Sequence, residues 1–181
     1  VITPPVMINL PEDVSIFGEP TPKQIKVVIK AGKDSVNGTL SYASSEQINT
    51  KVVVEEDKTN PEFALAKLTS FNISPLSYNF QLDKKGQEKE FVFTISAPIE
   101  SNVTGLRFLA TVNGVEYSKG IKEIKYDHIP LQTLFPEAEI KLIRLDVKKK
   151  LKRIGYIPGA GDEVAPCLTQ LGYEVVTITD D

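Results

Sequence analysis

The sequence predicts a mainly β protein, namely an immunoglobulin-like β-sandwich followed by a short α/β unit of the βαβ type. Three observations support this fold class. Apolar and polar residues alternate over several segments, which is typical of strands with one face on a core and the other in water. Turn signals such as Asn113-Gly114 separate these segments. Residues 154–181 read instead as a strand, a glycine turn, a short helix and a second strand.

Composition sets the outer bounds on function. The chain has 181 residues, 41% of them hydrophobic and 25% charged, which suits a globular domain with a smaller unit attached. A formal net charge of −3 gives no general attraction to nucleic acid, and no apolar run is long enough for a membrane span. The single cysteine, Cys167, excludes an intramolecular disulfide. No signal peptide opens the chain, and Val1 is not a start methionine, so we expect a piece of a longer protein.

Residues 1–127 are predicted to form the sandwich, from six to eight short strands joined by turns. The first strands are expected at residues 6–11 and 23–32, and others at 37–43 and 50–56. Two longer alternating stretches follow, and their core-facing side chains are expected to be Phe80, Leu82, Phe91, Phe93, Ile95, Leu106, Phe108, Ala110 and Val112.

Two segments interrupt this pattern. Residues 61–76 are interpreted as a crossover between the sheets. Residues 128–150 are predicted to be a linker and a strand: Pro130 and Pro136 forbid a regular helix in the first part, and residues 139–147 form the strand.

Residues 151–181 are predicted to be one βαβ unit and part of a larger α/β domain. Asp162 is the expected helix N-cap, because Pro166 is tolerated only in a first helical turn. Gly172 is expected to end the helix, and residues 173–179 to form a buried parallel strand. Two parallel strands cannot bury both faces of their sheet. Either the unit packs on the sandwich, or a continuing chain supplies neighbouring strands, and we favour the continuing chain.

Gly159, Gly161 and Asp162 are the candidate ligand contacts. Gly159-x-Gly161 between a strand and a helix matches the start of the dinucleotide fingerprint. Val164 occupies the third glycine position, however, and Asp162 puts a carboxylate where a phosphate would lie. We therefore interpret the segment as a tight βα turn with an acidic cap, with a nucleotide site as the alternative, and we predict no cofactor and no metal.

Residues with catalytic chemistry are few. His128 is the single histidine, and no G-x-S-x-G motif accompanies it, so we interpret it as a linker histidine. Cys167 lies inside the predicted helix and is interpreted as a packing residue. Asp180 and Asp181 are interpreted as a frayed terminus. We predict no catalytic residue, and an enzyme acting through His128 or Cys167 is the weakest alternative.

Two surface features concern binding. The basic run at residues 148–153 carries five charges without interleaved aromatic residues, so a solvated turn is favoured over a nucleic-acid site. Tyr42, Tyr78 and Tyr117 could form a platform for a sugar, although core or rim positions in the sandwich are favoured.

Residues 114–181 resemble a known family through the motifs YDHIPLQTLFP, IRLDV, IGYIPGAGDEV and LGYEV followed by TDD. The stretch is similar to the C-terminal region of large bacterial PIG-L-type (LmbE-like) N-acetylglucosamine deacetylases. The first part of the chain is similar only in architecture, to the accessory NEW3-type sandwich domains of glycan-active enzymes.

The resemblance implies a non-catalytic accessory segment of a glycan N-deacetylase. The family's zinc motif, His-Pro-Asp-Asp, does not occur in this sequence, so no catalytic residue is carried over. The family's last domain is glutamine amidotransferase-like, and residues 151–181 correspond only to its opening. The implied role is docking or spacing of other domains of the same polypeptide, with glycan contact, in a periplasmic or cell-surface setting. The alternative is a free-standing carbohydrate- or protein-binding β-sandwich module.

Overall fold

The computed structural model describes residues 3–44, 70–159 and 161–178. Ten described strands form two sheets that share one core, and a βαβ unit follows them. The predicted fold class, an immunoglobulin-like β-sandwich with a short α/β unit, is therefore confirmed. Residues 50–56, for which a strand was predicted, and residues 61–69 of the predicted crossover lie outside the described ranges.

The first sheet is antiparallel and contains, in spatial order, β1 (Val6–Asn9), β3 (Lys23–Ala31), β7 (Glu88–Ser96) and β5 (Asn72–Ser74). The second sheet contains, in spatial order, β2 (Val14–Phe17), β12 (Glu139–Arg144), β8 (Asn102–Val112), β4 (Val36–Ser44) and β6 (Ser77–Leu82), with β9 (Val115–Tyr117) also paired to β8. Strand β2 runs parallel to β12.

The core lies between the two sheets, as the alternation predicts. Phe93 and Phe108 come from opposite sheets, and their ring centroids are 5.2 Å apart. All nine side chains predicted to face the core are buried: Phe80, Leu82, Phe91, Phe93, Ile95, Leu106, Phe108, Ala110 and Val112. The predicted Asn113-Gly114 hairpin is also confirmed, because both residues have positive φ, 51° and 78°, between β8 and β9.

The segment after β9 differs from expectation. Within the predicted linker, β11 (Gln132–Leu134) pairs with β10 (Lys122–Ile124) in an antiparallel hairpin. The prolines that suggested an extended linker, Pro130 and Pro136, flank β11, so neither removes a ladder hydrogen bond from it. The strand predicted in residues 139–147 is β12, which lies inside a sandwich sheet. The predicted domain boundaries stay a prediction.

Arg144 is a buried charge that holds several loops together. Its side chain is only 6% exposed. The guanidinium donates to the carbonyls of Pro98 at 3.2 Å, Gly18 at 3.1 Å and Leu145. Because these carbonyls lie after β2, before β8 and after β12, one side chain ties three chain segments at this end of the sandwich.

The C-terminal unit has the predicted order of elements. Strands β13 (Arg153–Tyr156) and β14 (Glu174–Thr177) pair in parallel, and helix α1 (Val164–Gln170) connects them. The helix N-cap is Glu163, so the prediction that Asp162 is the N-cap is wrong by one residue.

The residues at both ends of α1 have the roles that the sequence predicted, whereas β14 is less buried than predicted. Pro166 lies in the first helical turn, where its missing N–H has no intrahelical partner to lose. Gly172 follows the helix with a φ of 85°, which favours glycine. Residues 173–179 were predicted to form a buried strand, but Val176 is 37% exposed, because α1 covers only one face of the two-stranded sheet.

Helix α1 lies along the free edge of β2. The backbone N–H of Ile16 donates to Gln170 Oε1 at 2.7 Å. Lys23 Nζ donates to the backbone carbonyls of Gln170, at 3.0 Å, and Ile16. Burial lowers the pKa of Lys23, and the charge of Glu12 opposes that shift. The helix therefore takes the place that a further strand would occupy beside β2.

A second set of contacts joins the sandwich and the βαβ unit at the same junction. Lys149 Nζ lies 2.7 Å from Glu19 Oε1 and 5.7 Å from the ring centroid of Tyr173. Gly18 lies so close to the carbonyl of Leu171 that a Cβ atom at Gly18 would overlap it. Glycine at this position therefore allows the end of α1 to approach the sandwich closely.

We expect Arg144→Met to destabilise the sandwich. Methionine fills much of the same volume but leaves the Gly18 and Pro98 carbonyls without their donor, so the free energy of unfolding should fall by about 2–4 kcal/mol. Urea unfolding followed by circular dichroism measures this change. The control is Arg107→Met, which breaks a partly exposed ion pair with Glu139 at 2.9 Å. That variant should lose less than about 1 kcal/mol, and equal losses in the two variants would contradict the role of Arg144.

Candidate functional site

The turn that carries the three predicted ligand contacts is closed by its own carboxylate. Asp162 accepts hydrogen bonds from the backbone N–H of Gly159 at 3.0 Å, the N–H of Val164 at 3.2 Å and the hydroxyl of Tyr156. Gly161 supplies the positive φ, 72°, that the tight turn needs. Two N–H groups of this turn, those of Gly159 and Val164, are thus already bonded to Asp162. The role of these residues in ligand contact stays a prediction.

The electrostatics of the turn follow from the same hydrogen bonds. The Tyr156 hydroxyl and the two backbone N–H groups hold the pKa of Asp162 below its ordinary value. The same hydrogen bond to Asp162 raises the pKa of Tyr156. The turn is therefore built around a charged Asp162 and a neutral Tyr156.

The residues weighed for catalysis lie on different elements. His128 is exposed on the loop between β10 and β11, where its ring centroid is 5.9 Å from that of Tyr126. Cys167 lies half-buried in α1. Asp180 and Asp181 are outside the described ranges. In the part of the chain that the structure describes, no group of three His, Cys, Asp or Glu side chains is placed to hold a metal ion.

All three tyrosines considered as a sugar platform pack against the core, and two of them are held there by their hydroxyl groups. The Tyr42 hydroxyl donates to the carbonyl of Ile73 at 2.9 Å, and burial raises the pKa of Tyr42. The Tyr78 hydroxyl donates to the carbonyl of Val92 at 2.6 Å. Both rings pack against the core beside Phe93, and both hydroxyl groups are bonded to backbone carbonyls.

The third tyrosine, Tyr117, lines an open cavity of about 420 Å³. The walls are mostly apolar, and the charged residues among them are Glu116 and Lys119. The full lining is Thr3, Pro4, Pro5, Glu116, Tyr117, Ser118 and Lys119. A concave, largely apolar site with a few polar groups is the usual form of a small-molecule site, for which volumes of roughly 300–1,000 Å³ are typical.

Backbone contacts fix the two walls of this cavity. The proline wall is held where the Gly32 N–H donates to the Pro5 carbonyl at 2.9 Å. The opposite wall is joined to β1, because the Ile8 N–H donates to the Lys119 carbonyl at 3.0 Å. The Lys119 side chain is also held in position, since its Nζ atom lies 3.6 Å from a carboxylate oxygen of Glu137. The cavity is thus part of the sandwich framework.

The sequence indicated Tyr117 as a candidate for sugar contact but did not indicate the cavity. Its walls are more than one hundred positions apart in the sequence, at residues 3–5 and 116–119. The nearest signal in the sequence was the Pro4-Pro5 pair, which stiffens one wall.

No protein-family model matches the sequence, and no curated protein matches it. Among solved structures, the chain is similar to a family 123 glycoside hydrolase from Clostridium perfringens, with 10% identity and a TM-score of 0.41 over 84% of this chain and 30% of that one. It is also similar to the sporulation control protein Spo0M of Bacillus subtilis (14% identity, TM-score 0.35, 77% of this chain and 50% of that one). A third is the human F-spondin reeler domain (13% identity, TM-score 0.35, 78% and 93%).

These likenesses concern the fold alone. The chain spans 30% and 50% of the length of the first two proteins. The assignment to a β-sandwich rests on the chain's own two sheets and shared core. No helix in the described ranges is long and apolar enough to cross a lipid bilayer.

Acidification should open the Asp162 turn. Because the folded pKa of Asp162 is lowered, its hydrogen bonds are fully present above the ordinary carboxyl pKa of about 3.9 and are lost as the pH falls through the lower folded value. The backbone amide NMR signals of Gly159 and Val164 should titrate together, with a midpoint below about 3.9.

The matched control for this titration is Asp162→Asn, in which the midpoint should disappear from both amide signals. A midpoint above the ordinary carboxyl value, or the same titration in Asp162→Asn, would show that another group controls the turn.

Proposed function

We propose that this chain is a non-catalytic β-sandwich module that binds a carbohydrate in the cavity beside Tyr117. The observation that carries the proposal is the combination found there: an open space of about 420 Å³ whose lining includes an aromatic residue, Tyr117, and two residues of opposite charge, Glu116 and Lys119.

The chemistry of a sugar ring matches this combination. A pyranose has an apolar face of C–H groups, which packs on an aromatic ring, and an edge of hydroxyl groups. The Glu116 carboxylate accepts hydrogen bonds from hydroxyl groups, and the Lys119 ammonium donates them. Charge-assisted hydrogen bonds of this kind are stronger than those between neutral groups. Glycoside hydrolysis normally uses a pair of carboxylic acids, and Glu116 is a single acidic residue among those that line the cavity, so we propose binding without cleavage.

The family resemblance adds a ligand class to the proposal. Residues 114–181 resemble the C-terminal region of PIG-L-type deacetylases, whose substrates are of the N-acetylglucosamine type. An accessory module of such an enzyme would hold a glycan near a separate catalytic domain. We therefore expect chitin-type oligosaccharides to bind in preference to unrelated sugars, and the other domains of the parent polypeptide to be partners.

A titration with chitin- and mucin-type oligosaccharides, followed by backbone amide NMR, tests this function. Binding should shift the amide signals of residues 3–5 and 116–119. Glu116→Gln keeps the shape of the exposed side chain and should weaken binding about 10-fold, through loss of a charge-assisted hydrogen bond. Tyr117→Ala should weaken it further, because the aromatic wall is removed.

The matched control is Tyr126→Ala, since Tyr126 is 59% exposed on the β10–β11 hairpin and does not line the cavity. This variant should bind as the wild type does. Signals that stay unshifted at about 10 mM sugar, a concentration that detects even millimolar affinity, would contradict the proposal. Equal weakening by Tyr126→Ala would contradict the location of the site.

A further inference from the structure

One face of the two-stranded sheet formed by β13 and β14 is uncovered. We call it the open face, formed by Arg153, Gly155, Ile157, Glu174, Val176 and Ile178. The opposite face carries Ile154 and Val175, which are half-buried, and Tyr156, which is bonded to the turn before α1. Helix α1 therefore covers that opposite face and leaves the open face to solvent.

The open face is flat and apolar at its centre. Ile157 is 74% exposed, Ile178 49% and Val176 37%. The Ile178 Cδ1 atom lies 2.8 Å from the point where a Cβ atom of Gly155 would be, so the isoleucine side chain lies across the glycine. Parallel strands are normally covered on both faces, and this pair is covered on one. An uncovered aliphatic face on a parallel pair is a surface for a second layer.

Positive charge adjoins this face. Five of the 21 basic residues of the chain lie in residues 148–153, so the rest of the chain carries a net charge of −8. Lys149 is engaged by Glu19, and Arg153 is paired with Glu174 at 3.1 Å, whereas Lys148, Lys150 and Lys152 are exposed. The Lys152 carbonyl accepts a hydrogen bond from the Glu174 N–H, so the basic run leads directly into the sheet.

We propose that the open face binds an acidic amphipathic helix of a partner protein. The apolar side of that helix covers Ile157, Val176 and Ile178, and its carboxylates face the exposed lysines of the basic run. A helix is the element that covers the faces of parallel strands in α/β proteins. Charge complementarity selects an acidic partner, because the cations are concentrated here on a chain that is otherwise acidic.

A protein segment fits this surface better than nucleic acid does. The nearby tyrosine rings are engaged, since Tyr156 is bonded to Asp162 and Tyr173 lies beneath Lys149. They are therefore not free to stack on bases. The central side chains are aliphatic and lie on a sheet, which suits packing against another layer of secondary structure.

The test uses a synthetic peptide of about 18 residues, or five helical turns, with leucine on one face and glutamate elsewhere. Its counterpart has lysine in place of every glutamate. The glutamate peptide should shift the amide signals of residues 153–157 and 174–178 of the whole chain. It should bind at least about 10-fold more tightly than the lysine peptide, and its affinity should fall as salt screens the charges.

Two variants of the chain locate the site. Ile157→Asp places a charge on the open face beyond the end of β13. It should weaken the binding of the glutamate peptide at least about 10-fold. The matched control is Ile99→Asp, because Ile99 is 61% exposed on the sandwich and is not part of the open face. It should leave the affinity unchanged. Replacing Lys148, Lys150 and Lys152 with glutamine should weaken binding and reduce its salt dependence.

Several outcomes would overturn the proposal. If the glutamate and lysine peptides bound equally well, charge would not select the partner. If Ile157→Asp and Ile99→Asp weakened peptide binding equally, the binding site would not be the open face. A third outcome is that neither peptide binds, whereas vesicles rich in phosphatidylserine or duplex DNA bind and Ile157→Asp abolishes that binding. This outcome would assign the face to a different macromolecule. The sugar titration at the Tyr117 cavity is independent of all these results, because the two surfaces share no residue.

Discussion

The position of the βαβ unit on the sandwich depends on how the free edge of β2 is covered. An exposed strand edge presents unpaired N–H and C=O groups that invite association with another chain. Here the Gln170 side chain accepts the hydrogen bond of the Ile16 N–H, and Lys23 bonds the carbonyl groups of both elements. The edge is protected by a helix, and the same contact holds the βαβ unit in place. This explains how a unit with no buried residue in its helix can be ordered.

This placement separates two surfaces with different chemistry. The cavity beside Tyr117 lies between residues 3–5, which precede β1, and residues 116–119, at and after the end of β9, and its lining includes an aromatic residue and residues of both charges. The open face belongs to β13 and β14, has an aliphatic centre and adjoins a run of lysines. The sandwich between them is held by a large aromatic core and by Arg144. The two proposed sites share no residue, so we expect a carbohydrate and a protein partner to bind independently of each other.

The sequence predicted what depends on local periodicity. Alternation identified the core faces of β6, β7 and β8, and glycine and proline placed the Asn113-Gly114 turn and both ends of α1 within a residue or so. It missed β2, a strand of four residues whose partner β12 lies more than one hundred positions away. It also read β11 as a linker, because two prolines flank a strand of only three residues. The cavity was missed, and packing of the βαβ unit on the sandwich was only the less favoured alternative, for the same reason: their parts meet only in the folded chain.

Native-state hydrogen exchange of the Ile16 amide tests the covering of β2 most directly, because that proton is bonded to Gln170 and not to a neighbouring strand. If α1 covers β2, this amide is protected in the intact chain and exchanges at least about 10-fold faster in Gln170→Ala. The exchange rate of the Leu40 amide, in the centre of the same sheet, should be unchanged. An Ile16 amide that exchanges at the rate of an unstructured peptide in the intact chain would contradict the covering of β2, since the βαβ unit would then not be held on the sandwich.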